Sequence, residues 1–343
     1  TFPERELARL TRERLTSLLQ ARDNPNAIAS ESFPRLLFGD KYRYGVPEVG
    51  TPASITSFTA SDLRAFHQAR FRPDRATLLV VGDVQPDSAL ALLETAFGSW
   101  TATGSAAAEP SVPPAATARP DARRLVIVDK PGAAQSEIRI GTVGVARSTE
   151  DYFPIVVLNT ILGGSFTSRL NQNLREEHGY SYGAGSSFVM RKAPGPFVAG
   201  AGVQTDKTSE SLTEFFNELN GILKPIPPGE VEQAQNFLTY GLPGDFETNS
   251  DLMARLQTLL VYGLPMDYYD KYVERLRAVT PADVERVARK YIDPQKLLVV
   301  VVGDRKVIEP GIQALNLGPV TAMTIEQVLG PPPQPSAAAS GNR

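Results

Sequence analysis

An α+β fold, with helices packed on a mostly antiparallel sheet, follows from three features of the sequence. A helix–strand pattern recurs in one register in both halves of the chain. The second half runs through strands, then long helices, and closes on a strand. Two stretches with almost no large apolar residue, TATGSAAAEPSVPPAATARP and GPPPQPSAAASGNR, separate what can form a core from what cannot. They divide the 343 residues into a first unit (1–100), an Ala/Pro-rich linker (101–120), a second unit (121–328) and a disordered tail (329–343).

The repeat is the most informative of the three. Thr59-Ala60-Ser61-Asp62-Leu63 and Thr280-Pro281-Ala282-Asp283-Val284 each place a Thr at a helix N-cap with an acidic residue in the first turn. Each helix is followed by a proline, Pro73 or Pro294, and then by an apolar strand ending in Gly-Asp: Ala76 to Asp83 and Leu297 to Asp304. Thr59, Asp62, Pro73, Gly82 and Asp83 all recur 221 positions later, which indicates a duplication. The second unit begins near Arg123. An equal first copy would therefore start roughly a hundred residues before Thr1, so the first unit is expected to be incomplete at its N-terminus.

In the first unit, Thr1 to Gln20 is a charged amphipathic segment, followed by the duplicated helix after Thr59 and the strand 76–83. In the second, RLVIVD (124–129) and residues 136–145 predict strands. Tyr152 to Leu162 predicts a helix with Ile155, Leu158 and Ile161/Leu162 on one face, ended by Gly163-Gly164. Arg169 to Glu177 reads as a short helix, 182–188 and 196–204 as paired strands, and 207–223, 228–240, 249–262 and 281–291 as helices.

Composition excludes several functions. Thirty-five basic and 38 acidic residues are interspersed for a net charge of −3, without the basic stripe of a nucleic-acid binder or a membrane-surface helix. The longest apolar run, Leu297 to Val302, falls far short of the roughly 20 residues that span a bilayer. No cysteine is present, so disulfides, thiolate metal sites and a Cys nucleophile are excluded. The absence of cysteine and the Ala/Pro-rich linker fit a bacterial periplasmic setting. The first residues do not read as a signal peptide, and the missing initiating Met leaves room for a removed leader. A helical two-histidine metal site needs His at i and i+4, but the only histidines are His67 and His178. No G-x-S-x-G elbow, P-loop or G-x-G-x-x-G occurs, so the chain holds no self-contained catalytic centre and no metal ligands.

One constellation remains, Gly163-Gly164-Ser165-Phe166-Thr167-Ser168-Arg169-Leu170-Asn171-Gln172-Asn173-Leu174-Arg175-Glu176-Glu177-His178-Gly179-Tyr180-Ser181-Tyr182-Gly183. It is similar to the stretch in the pitrilysin/insulinase family of zinc metallopeptidases that carries an Arg and, seven residues on, a Tyr, here Arg175 and Tyr182. The resemblance extends over residues 2–310, through Asp23-x-Pro25, Leu37-Phe38-Gly39, Tyr44-Gly45 and Phe71-Arg72-Pro73-Asp74. It implies the two-domain mitochondrial-processing-peptidase-like metallohydrolase fold. It also implies that Arg175 hydrogen-bonds substrate backbone carbonyls while the Tyr182 hydroxyl supports the carbonyl that zinc polarises, both groups facing the metal across a closed chamber.

Cleaving members carry H-x-x-E-H in the front half of the first domain, and no such motif is present in this sequence. The third zinc ligand of the family, a Glu, falls at Ser17, with Glu13 one helical turn away. The resemblance therefore implies a zinc-less subunit of a heterodimeric endopeptidase. Its homologous partner would carry the zinc, and its substrates would be unfolded peptides. Two other readings stay open: a complete zinc peptidase whose front segment is missing from this chain, and a catalytically silent structural or peptide-holding subunit. On surface chemistry alone, Arg175 could equally pair with Glu176, Glu177 or Glu210. Tyr180 is expected to pack as an apolar residue, His178 to sit at a helix end and His67 to lie at the surface.

Overall fold

The computed structural model describes residues 2–102, 104 and 120–334. Six strands form within them: β1 (Arg124–Asp129), β2 (Gln135–Val143), β3 (Ser181–Phe188), β4 (Pro196–Gln204), β5 (Leu298–Gly303) and β6 (Val320–Thr324). They make one sheet in the order β3-β4-β2-β5-β1-β6. The pairings β2–β4, β2–β5 and β3–β4 are antiparallel, whereas β1 pairs parallel with both β5 and β6. The mixed α+β class and the mostly antiparallel sheet agree with the sequence. β6 was not expected; it is a half-exposed edge strand, VTAMT, too short and too weakly apolar to stand out.

Every residue of β5 is buried. A continuous Val run of this kind belongs to a strand covered on both faces. On one face Ile127, Ile138, Ile140, Val299 and Val301 pack with Leu212, Phe215 and Leu219 of the helix Thr208–Gly221 and with Val284, Val287 and Ala288 of the helix Pro281–Tyr291. On the other, Val126, Val128, Leu298, Val300 and Val302 pack with Ile28, Ala29 and Phe33 of the helix Pro25–Phe38 and with Val328 and Leu329. The sheet is thus covered from both sides, and an N-terminal helix supplies much of the second layer. Asn24 starts that helix by accepting from the backbone N–H groups of Asn26 (2.9 Å) and Ala27 (3.3 Å). Pro34 in its interior interrupts the helical signal in the sequence.

Both copies of the repeat form reciprocal N-caps. The Thr59 and Thr280 backbone N–H groups donate to Asp62 Oδ2 (2.9 Å) and Asp283 Oδ2 (3.0 Å), and the hydroxyls accept in return from the aspartate N–H groups, at 3.2 Å in each case. The helices Ala60–Arg70 and Pro281–Tyr291 follow. The strands do not repeat. β5 lies between β1 and β2, but residues 76–83 pair with no strand among the described residues, and Leu78 and Val80 remain 57% and 48% exposed. An extended segment becomes a strand only through a hydrogen-bonded neighbour, and no described strand supplies one here.

Residues 105–119 of the expected linker and 335–343 of the expected tail lie outside the described residues. The start of that tail is ordered: Arg22 Nη2 donates to the carbonyls of Gly330 (2.8 Å) and Pro331 (3.0 Å), and Pro333 is buried. The helix Glu4–Ala21 contains both positions considered for a third zinc ligand. Ser17 is exposed and bonds its own turn at Glu13 O (3.0 Å), while the Glu13 carboxylate pairs with Arg9 (2.9 Å).

Two helices of the first layer are pinned together at Asp151, at the start of the helix Tyr152–Asn159. Its carboxylate accepts from Arg286 (2.7 Å), Lys290 (2.8 Å) and Tyr291, all on the helix Pro281–Tyr291. Burial pushes this carboxyl up, but the three donors outweigh it and hold the pKa at about 2. A depressed carboxylate stabilises the fold above its unfolded pKa of about 4, and that contribution is lost as the pH falls through about 2. Asp151→Asn is expected to cost about 2 kcal/mol at neutral pH. Urea unfolding should show that loss at pH 7 and a much smaller difference between the two proteins at pH 2.

Candidate functional site

The Gly-Gly to Gly-Tyr-Ser-Tyr segment is hung from the core by leucines. Leu158, Leu162, Leu170 and Leu174 are fully buried. Between them the chain departs twice from α-helical geometry, with π-helical turns at Thr160–Gly164 and Gln172–Glu177. Such turns are rare and concentrate at functional sites. The first brings Gly163 against β3. A methyl group there would run into Ser186 N and sit 2.7 Å from Gly185 C, so glycine is required for close approach to the strand. The sequence could not separate this role from simple helix capping.

Buried polar residues, none of them expected, fix the segment. Asn171 Nδ2 donates to Phe166 O (2.7 Å), and its Oδ1 accepts from Ala184 N (3.2 Å), tying the loop to β3. Asn173 Nδ2 donates to Glu214 Oε2 (3.1 Å) and Glu218 Oε1 (2.9 Å). The available signal was two asparagines between the core positions Leu170 and Leu174, where a buried amide has to find partners.

Arg175 lies in the second π-helical turn. Its guanidinium sits 4.7 Å from the centre of the Phe166 ring and pairs with Glu176 at 3.3 Å, with 40% of the side chain still exposed. The pairing with Glu176 is one of the surface contacts open to it from sequence. An exposed ion pair is worth about 1 kcal/mol or less, so the guanidinium can exchange it for another acceptor. Gly179, at φ +65°, then turns the chain, with its N–H donating to Arg175 O (3.2 Å). Tyr180 packs on the core and stacks on His178, ring centres 5.0 Å apart. His67 stacks on Phe71 at the surface.

Tyr182 is 90% exposed. The cause is a break in register: Ser181 pairs with Val203 and Ala184 with Ala201, so Tyr182 and Gly183 lie in an irregularity of β3. Ser181 holds it, its Oγ donating to Gly202 O (2.8 Å) and accepting from Gly183 N (3.0 Å). Bulges of this kind redirect a side chain. No hydrogen bond or ring contact joins Arg175 to Tyr182 among the described residues.

Beside this bulge, β3 and β4 border an open cleft of about 430 Å³ lined by Gly163, Gly183, Gly185, Gly200 and Gly202. Arg139 crosses Gly200, where an added methyl would lie 3.0 Å from its Cδ. Glu137 accepts from Arg139 (2.9 Å) and from Asn26 Nδ2 (3.2 Å), which neutralises charge at the cleft wall. A glycine-lined cleft leaves backbone within reach of an extended chain. Zinc does not fit: no group of three or more His, Cys, Asp or Glu residues among the described residues could hold a metal ion.

Comparison with known proteins gives the same class. The family model of the peptidase M16 inactive domain matches residues 57–238, which include both the Thr59 cap and the Arg175/Tyr182 segment. The chain belongs to this family of zinc-protease homologues, in agreement with the pitrilysin/insulinase resemblance. It is 28% identical over 269 residues to an uncharacterized zinc protease of Mycobacterium tuberculosis, covering 78% of this chain and 60% of that protein. A counterpart in Streptomyces coelicolor is 28% identical over 290 residues, covering 84% and 62%. The chain therefore spans about three fifths of the length of these relatives. Among solved structures, a peptidase M16 inactive domain from Pseudomonas fluorescens superposes with a TM-score of 0.78 at 26% identity, over 88% of this chain and 71% of that one.

Gly163→Ala should lower stability by about 1–3 kcal/mol, because β3 cannot yield to the added methyl. Gly229→Ala, where nothing crowds the new atom, should leave the melting temperature unchanged or slightly raised. Thermal unfolding of the two variants side by side checks the contrast.

Proposed function

We propose that this chain is the zinc-less, substrate-holding subunit of a heterodimeric zinc metalloendopeptidase. Its partner is a homologous subunit bearing the metal, and its substrates are unfolded peptides. The observation that carries the reading is Tyr182, a tyrosine held out of a bulged strand beside a glycine-lined cleft, with no metal-binding group among the described residues. In this reading the Arg175 guanidinium leaves Glu176 and donates to backbone carbonyls of the substrate, which requires no side-chain recognition. The Tyr182 hydroxyl donates to the oxygen on which charge develops as the peptide carbonyl is attacked. Water activation and the general base belong to the partner.

A second reading is favoured by one fact, that relatives named zinc proteases extend well beyond the matched region. In that reading the chain is part of a longer zinc peptidase, and Arg175 and Tyr182 have the same roles within one polypeptide.

The test combines the chain with zinc-bearing homologues and measures zinc content and cleavage of a quenched peptide. Activity confined to the mixture supports the heterodimer; zinc and activity in the natural full-length polypeptide alone support the second reading. In whichever protein is active, Tyr182→Phe should lower kcat about a hundredfold with the fold intact. Arg175→Ala should act mainly on KM. Full activity in both variants would remove this pair from the mechanism.

A further inference from the structure

An arginine side chain turns about several bonds, and aiming its planar fork at one acceptor costs rotamer entropy unless a neighbour has already fixed it. Two neighbours of Arg175 can do so. Glu176, the next residue, lies 3.3 Å from Nε as an exposed ion pair, and no hydrogen bond joins the guanidinium to a protein acceptor among the described residues. The Phe166 ring lies beneath the guanidinium carbon, 4.7 Å from it at the ring centre. The two contacts draw on different parts of the group. A carboxylate takes up N–H donors along the edge and so competes with a substrate carbonyl. An aromatic ring attracts the cation through its face and leaves the in-plane donors free.

Phe166 is itself held in place. Its carbonyl accepts from Nδ2 of the buried Asn171 (2.7 Å), and Oδ1 of the same amide accepts from Ala184 N (3.2 Å), where pairing of β3 resumes after the bulge. On the other side Ser165 Oγ donates to Thr160 O (3.2 Å), and Ser165 O accepts from Ser168 N (3.1 Å). One buried asparagine thus ties the loop that carries the ring to the strand that carries Tyr182. The ring is 58% exposed and adds little to the core, and Arg175 is the one aromatic or cationic group it contacts among the described residues.

We propose that Phe166 is a positioning residue for the substrate-binding arginine. Its ring holds the Arg175 guanidinium by one face, so that the N–H edge stays free and directed when Glu176 is exchanged for a substrate carbonyl. This rests on the role given above to Arg175 and adds to it the group that aims that side chain. Phe166→Leu keeps an apolar side chain and removes the π face, whereas Phe166→Tyr keeps both.

The contact is tested on the chain alone through its arginine Nε–H resonances, with that of Arg175 assigned by its loss in Arg175→Lys. The ring current should displace the Arg175 signal in the parent and in Phe166→Tyr, and Phe166→Leu should return it to the range of the exposed arginines. A signal unchanged between the parent and Phe166→Leu would overturn the proposal and leave the peptidase reading standing. In the active assembly, Phe166→Leu should raise KM about two- to fivefold with kcat unchanged. Phe166→Tyr should restore the parent KM, and Phe166→Leu added to Arg175→Ala should change nothing further. A parent KM in Phe166→Leu beside a raised KM in Arg175→Ala overturns this proposal alone. So does a full effect of Phe166→Leu in the Arg175→Ala background, which marks a role independent of the guanidinium. Full activity of Arg175→Ala overturns the substrate-binding role of Arg175 and this proposal with it. Circular dichroism establishes that each variant is folded, which the exposure of the ring favours.

Discussion

β5 has no exposed residue, and a strand buried on both faces obliges the chain to cover the sheet twice. The helices after β4 provide one layer. The other must come from elsewhere, and the helix Pro25–Phe38 provides it, from sequence nearly a hundred residues before the first strand. The helix Pro25–Phe38 is therefore not a separable preface to the second unit. Ile28, Ala29 and Phe33 complete a core whose other members are the valines of β1 and β5. Arg22 then ties the same region to the carbonyls of Gly330 and Pro331, just beyond Leu329 of the same core.

The candidate site depends on that sheet through its edge. β3 is the outermost strand, and edge strands tolerate irregularity that a central strand does not. The break between Ser181 and Ala184 costs pairing hydrogen bonds, which Ser181 Oγ and Asn171 Oδ1 partly replace. The outcome is a tyrosine with almost its whole surface in solvent, although it lies in a strand of a well-packed domain. Exposing a large aromatic side chain brings no gain in folding energy. Packing gives no reason for its position, which follows from the break in register.

Much of this was legible in the sequence. The Val run of β5 and the Thr-x-x-Asp caps express local rules, and local rules survive in a single sequence; Arg175 and Tyr182 were singled out by family resemblance instead. What was not legible depends on distant partners. Residues 76–83 have the composition of a strand but no strand beside them among the described residues, and no property of Leu78 or Val80 reveals that. The helix Pro25–Phe38 is obscured by Pro34 and justified only by the sheet it covers. Gly163 resembles any helix-ending glycine until Ser186 is seen against it. The polar pins, Asn171, Asn173 and Ser181, are ordinary residues whose importance lies wholly in their burial and partners.

The two π-helical turns join these observations. A regular α-helix advances about 1.5 Å per residue and holds its side chains at fixed angles, so it can satisfy either the core or a neighbouring surface along a given face. Widening the helix at Thr160–Gly164 brings Gly163 onto β3 while Leu162 stays in the core. Widening it at Gln172–Glu177 leaves Leu174 buried, presents Arg175 beside Phe166 and keeps Asn173 bonded to Glu214 and Glu218. One irregular turn therefore serves two surfaces of opposite chemistry, a guanidinium on one and an asparagine bonded to carboxylates on the other.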